Sequence, residues 1–294
     1  MRKWHLFFKT FTHQMKKIIF LLLCTLLIFS GCKIFQKTKK ITVSCASYSS
    51  FQIIKDLLED IKELDIYFID DSQPGFIPSK DQINQIICSS LFIFSNQKNQ
   101  KWISKELISF PKKNIDFSIK LENPELCEED FFSITVYKKE ALIIYENLKI
   151  LFPSSSEQLA LNYQKFLQHA DYLTEGYKKL SQSIKTPVVI FDRNPYKKLF
   201  SDFSIPFESF DKKNSIKNST EVTYYEKSII FNFIKTNKIK CIYILKDEEE
   251  AKQEITEKLK NEYIEIKILP ELHFNEHTEN TYFLLHEKII SALK

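Results

Sequence analysis

Between Pro153 and Ser183 the chain places Leu159, Tyr163, Phe166, Ala170, Leu173, Tyr177 and Leu180 at alternating steps of four and three residues. That spacing lays one apolar stripe along a helix roughly 40 Å long. Ser154-Ser155-Ser156-Glu157, directly after Pro153, reads as a capping box that starts it. The stripe is also compatible with a coiled-coil seam. It is single, however, and strand–helix alternation flanks it on both sides, so the spacing predicts a strut spanning two lobes.

Before the strut, ITVSCA (41–46), DIYFI (65–69) and LFIF (91–94) read as strands, with FQIIKDLLEDIKEL (51–64) and KDQINQIICSS as helices between them. After Pro187 the alternation restarts. VVIFD (188–192), IKCIYIL (239–245) and EIKIL (265–269) are strands, while YYEKSIIFNFIKTN (224–237), DEEEAKQEITEKLKNE and NTYFLLHEKIISAL are helices. The expected fold is α/β: two lobes, each a mostly parallel sheet flanked by helices, joined by one long backbone helix.

The N-terminus reads as a targeting segment. Arg2, Lys3, Lys9, Lys16 and Lys17 precede IIFLLLCTLLIF (18–29), an apolar run too short to span a bilayer comfortably. Phe29-Ser30-Gly31-Cys32 then resembles a bacterial lipobox, with Phe29 in place of the usual Leu, so Cys32 is the expected lipidation site. An uncleaved signal anchor is the other reading. The expected organisation is a lipoprotein signal peptide over 1–31, a tether over 32–40, an N-terminal lobe over 41–152, the long helix over 153–184 and a C-terminal lobe over 185–294.

Removing 1–31 takes away five of the 42 basic residues and none of the 38 acidic ones, leaving a net charge of −1. The basic character of the whole chain therefore resides in the signal, and nucleic-acid binding is not expected. The three glycines, Gly31, Gly75 and Gly176, are far apart. This excludes a P-loop, a GxGxxG turn and a GxSxG nucleophile elbow, each of which clusters glycines. No Ser/His/Asp, Cys/His or paired-carboxylate arrangement is legible either, so an enzyme is not expected. Cys45, Cys88, Cys127 and Cys241 form no CxxC pair; Cys88 and Cys241, in apolar runs, are expected to be small buried hydrophobes, and spacing alone establishes no disulfide.

Residues 41–60, FIPSKDQINQIICSSLFIFSN (76–96), KKEALIIYENL (138–148), the long helix and EKSIIFNFIKTNKIKCIYIL (226–245) follow one another collinearly. In that order the chain resembles the metal-ion (zinc/manganese) class of ABC-transporter solute-binding lipoproteins, TroA-like or ZnuA-like, over nearly all of residues 32–294. The resemblance implies an extracytoplasmic protein, lipid-anchored to the membrane, that delivers a cation or another small solute to an ABC permease and ATPase complex; a monomer is expected. It also implies a Zn²⁺ or Mn²⁺ ion between the lobes, held by His from three loops and a carboxylate from a fourth.

Carried over one by one, the three His positions fall on Pro74, Ser133 and Phe191 (Asp192 or Arg193 if the register shifts), and the carboxylate falls near Glu271. Each of these places follows a strand-like run, where α/β sheets put ligands. Pro74 and Phe191 carry no donor, and the Ser133 hydroxyl is a poor substitute for imidazole. The opening loop SQPGFIPSKDQI (72–83) thus resembles a metal-binding loop whose ligand is gone, and the His-rich loop of many zinc members is missing. The remaining donors are Asp192, Glu271 and His273, so Zn or Mn binding should be weak or absent. Glu271, His273, Glu276 and His277 also read as a solvated polar loop, and Asp192 as a turn cap. His169 is expected at the surface, and His286 in packing or exposed. The alternative is a partner-binding surface lipoprotein that keeps the fold without the metal.

Overall fold

The two sheets of the protein repeat one plan. The computed structural model describes residues 41–62, 64–71, 73, 75–111, 113–123, 125–126, 128–191, 195–210, 224–245, 264–270 and 282–294. Strands β1 (Ile41–Cys45), β2 (Leu64–Phe68), β3 (Leu91–Phe94) and β4 (Asn114–Asp116) lie in the order β2-β1-β3-β4. Strands β5 (Val188–Phe191), β6 (Phe207–Phe210), β7 (Cys241–Leu245) and β8 (Glu265–Leu269) lie in the order β6-β5-β7-β8. β1 and β4 run parallel to β3, β6 and β7 run parallel to β5, and β8 runs parallel to β7.

The helices are α1 (Tyr48–Leu57), α2 (Lys80–Cys88), α3 (Lys105–Ser109), α4 (Phe117–Lys120), α5 (Ile134–Leu151), α6 (Ser156–Ser183), α7 (Lys197–Asp202), α8 (Tyr224–Thr236) and α9 (Tyr282–Leu293). All four residues of β3 are buried, as expected of a strand covered on both faces. Phe92 and Phe94 of β3 cluster with Ile86 of α2, Leu107 of α3 and Ile103. In the second lobe Ile234 of α8 packs with Val189, Ile242 and Ile244.

The strut is α6, 28 residues long, with Leu159, Phe166, Ala170, Leu173, Tyr177 and Leu180 buried. It packs on α1 and α5 on the first-lobe side and on α9 on the second. Tyr163 stays half-buried and stacks on Tyr145 at 4.5 Å. At Gly176 a Cβ atom would sit 2.8 Å from Ile290 Cδ1, so the glycine lets α9 approach α6 closely.

The expected capping box at Ser154–Glu157 does not form. Pro153–Ser155 is a 3-10 turn that leads straight into α6, and Ser155 (φ −109°, ψ 16°) lacks the extended backbone that aims a cap and makes no side-chain cap bond. A capping box forms instead at α2, where Gln82 N donates to Ser79 Oγ at 3.2 Å and Ser79 N to Gln82 Oε1 at 2.8 Å. The helix expected over 51–64 runs from Tyr48 to Leu57, because Asp60 takes a positive φ of 68° and turns the chain, leaving Leu64 to begin β2. The helix expected over DEEEAKQEITEKLKNE lies outside the described residues.

Cys88 is exposed and Cys241 half-buried, against the expectation of two buried hydrophobes: Cys88 ends an amphipathic helix, and Cys241 opens its strand. Cys45, Cys88 and Cys241 are free thiols; Cys127 and Cys32 lie outside the described residues. Among the described residues no helix is long and apolar enough to cross a membrane.

Candidate functional site

In each sheet the strand order reverses between two neighbours, β1/β3 and β5/β7, and open α/β sheets hold ligands beyond the C-terminal ends of such strands. In the first lobe that mouth is filled by the protein itself. Gln100 Nε2 donates to the Ala46 carbonyl after β1 at 2.6 Å and to Asp71 Oδ2 after β2 at 2.8 Å. Its Oε1 accepts from the amides of Ser95 and Asn96 after β3, at 2.9 and 3.2 Å. Trp102 Nε1 donates to the same Asp71 oxygen at 2.7 Å, and Phe76 of the opening loop meets the Trp102 ring edge-on at 5.5 Å. Burial raises the Asp71 carboxyl, while the Trp102 and Gln100 bonds pull it back. One side chain thus closes three strand ends. None of Asp71, Gln100 and Trp102 was singled out from the sequence; the position of Asp71 just beyond the DIYFI run is the one signal that could have found it.

Ser133 is the one family-ligand position whose side chain the structure describes, and it is fully buried. It caps α5, accepting from Val136 N at 3.2 Å, and its hydroxyl donates to Asp202 Oδ2 at the end of α7. Lys198 pairs with the other Asp202 oxygen. Ser133 follows a 3-10 turn, Glu128–Phe132, rather than the strand expected from the sequence. With its proton and one lone pair committed, this hydroxyl does not fit a metal ligand. Phe191 ends β5, opposite Phe210; its side chain, Pro74, Asp192, Arg193, Glu271, His273, Glu276 and His277 lie outside the description. Gly75 is exposed at φ 74°. Among the described residues no group of three or more His, Cys, Asp or Glu is placed to hold a metal ion.

Around Ser133 the seam between the lobes is aromatic. Tyr196 meets Phe132 edge-on at 5.0 Å and donates to the Pro270 carbonyl. Tyr282 stacks on Tyr137 at 3.5 Å and donates to the Phe132 carbonyl at 3.2 Å. Two buried titratable groups lie in the same region. Burial pushes Glu140 of α5 up to about 8, with the nearby Ser49 hydroxyl pulling the other way. Burial pushes His286 of α9 down to about 3; its Nδ1 lies 2.9 Å from the Tyr177 hydroxyl. His286 is therefore a packing residue. His169 is at the surface, 3.2 Å from Glu287 and stacked on Phe283 at 4.3 Å.

No protein-family model and no curated protein sequence matches the chain. Solved structures do. The Zn(II)-bound ZnuA-like domain of Streptococcus pneumoniae AdcA is 18% identical over 86% of this chain and 97% of that one, with a TM-score of 0.67. The metal-dependent lipoprotein YcdH of Bacillus subtilis is 16% identical over 86% and 98%, with a TM-score of 0.71. The laminin-binding protein Lbp of Streptococcus pyogenes is 17% identical over 86% and 98%, with a TM-score of 0.63. The chain has the two-lobed fold of these ZnuA-like structures, as the sequence resemblance implied.

Proposed function

We propose that the protein is an extracytoplasmic solute-binding lipoprotein of a metal-type ABC transporter, working with a permease and an ATPase, and that its metal site is degenerate. The observation that supports this reading is a combination: a ZnuA-like fold over 86% of the chain, and a ligand position, Ser133, whose hydroxyl is spent on Asp202. The reading includes the signal peptide over 1–31, the lipidated Cys32, the tether to residue 40 and the division into lobes at 153–184. Any Zn²⁺ or Mn²⁺ carried as cargo would rely on Asp192, Glu271 and His273, one imidazole and two carboxylates.

Isothermal titration with Zn²⁺ and Mn²⁺ tests the metal assignment. Binding should be weak, should fall further in Glu271→Ala and His273→Ala, and should decline below about pH 6.5 as the imidazole protonates. Tight binding indifferent to both substitutions would overturn it. No binding at all would favour the second reading, a partner-binding surface lipoprotein, for which the laminin-binding neighbour Lbp is the specific precedent.

A further inference from the structure

We infer that Ser133 and Asp202 form a latch that holds the two lobes against each other. The bond joins residues 69 apart in sequence. One end is the cap of α5, which packs on α1 and α6; the other is the last residue of α7, in the crossover between β5 and β6. Both ends are fixed. Ser133 has no exposed surface, and the Asp202 side chain is only 13% exposed and held from the opposite side by Lys198, one turn earlier. A hydroxyl donating to a largely shielded carboxylate is a strong bond, and removing the donor leaves one carboxylate oxygen without its hydrogen bond.

Neighbouring contacts make the bond a seam closure rather than an isolated contact. The Tyr196 ring presses on Phe132 from the α7 side, and the Tyr282 hydroxyl reaches the Phe132 carbonyl from α9. Phe132 and Ser133 are therefore gripped by two helices of the second lobe. The inference concerns lobe motion and does not depend on the solute-binding reading.

The test is hydrogen–deuterium exchange of the purified full chain, followed in peptides covering residues 128–137 and 196–203. The wild type should exchange slowly in both. Asp202→Ala, which leaves the α5 cap intact, should speed exchange in both by about tenfold or more, the fold-change expected for losing a bond to a charged group. Ser133→Asp keeps a good capping side chain but sets a second carboxylate against Asp202, and should do the same. Adding Asp202→Asn to Ser133→Asp replaces repulsion by an amide donor and should restore slow exchange. Far-UV circular dichroism should be the same for all four proteins. Wild-type exchange in Asp202→Ala would overturn the latch, even if Ser133→Asp failed to fold. So would a double variant that exchanges no more slowly than Ser133→Asp alone.

Discussion

Glu140 and His286 are buried without the partners that would keep them charged, and each makes stability depend on pH. His286 Nε2 has no hydrogen-bond partner among the described residues, and the Ser49 hydroxyl beside Glu140 is not placed to make a full hydrogen bond and offsets only part of the effect of burial. Glu140 stays protonated in the fold up to about 8, whereas its ordinary value is 4.5. Folding therefore takes up a proton between those values, and stability falls as pH rises from 4.5 to 8. His286 stays neutral down to about 3 against an ordinary 6.5, so its contribution is lost as pH falls from 6.5 to 3. Asp56, raised to about 6 chiefly by burial, adds a loss between 3.8 and 6 on rising pH. From 6.5 to 8 the Glu140 contribution is the steep one. Thermal melting should show the wild type losing stability across that interval, and Glu140→Gln, which cannot ionise, losing much less. An equal loss in both proteins would mean that the carboxyl is already ionised in the fold.

At the scale of elements, α6 is where sequence and structure agree most closely. Its stripe positions Phe166 and Leu173 are buried, with Phe166 in ring contact with both Tyr137 and Phe283 at 5.2 Å. Phe166→Ala and Leu173→Ala should each destabilise by about 2–5 kcal/mol in denaturant unfolding; neutrality of both would remove α6 as the strut. Long periodic runs were legible because period and length reinforce each other, and β1, β3 and β7 because apolar and β-branched residues dominate them. Two strands were not. β4 has three residues, Asn-Ile-Asp, too few for alternation to register, and β6 (Phe207–Phe210) immediately follows Pro206. Ser79 and Gln82 stood in the sequence at capping-box spacing, whereas the Ser154–Glu157 run looked like the signal but sits on a 3-10 turn. The candidate site was less legible still. The resemblance marked Ser133, but its partner is 69 residues away, and only folding reveals such a pair.

For the whole molecule, a 28-residue helix packed on elements of both lobes predicts that any opening is a small tilt rather than a wide hinge. The proposed anchor belongs to this scale too. One acyl chain binds a membrane only marginally, while two or more hold firmly, so mass spectrometry of the mature N-terminus should find Cys32 carrying at least two. An unmodified Cys32, or cleavage elsewhere, would remove the lipoprotein assignment.

The position of α9 along the chain has a consequence for timing. The strands of the first sheet all come from residues 41–116 and those of the second from 188–269, so each sheet can assemble from its own contiguous stretch as synthesis proceeds. α9, which buries Tyr282, Phe283, His286 and Ile290, is made only after both. Until it arrives, Tyr137, Phe166 and Tyr177 lack ring partners that the finished fold supplies. During that interval the nascent chain carries aromatic faces that α9 later covers. α9 thus supplies the last aromatic partners of the fold.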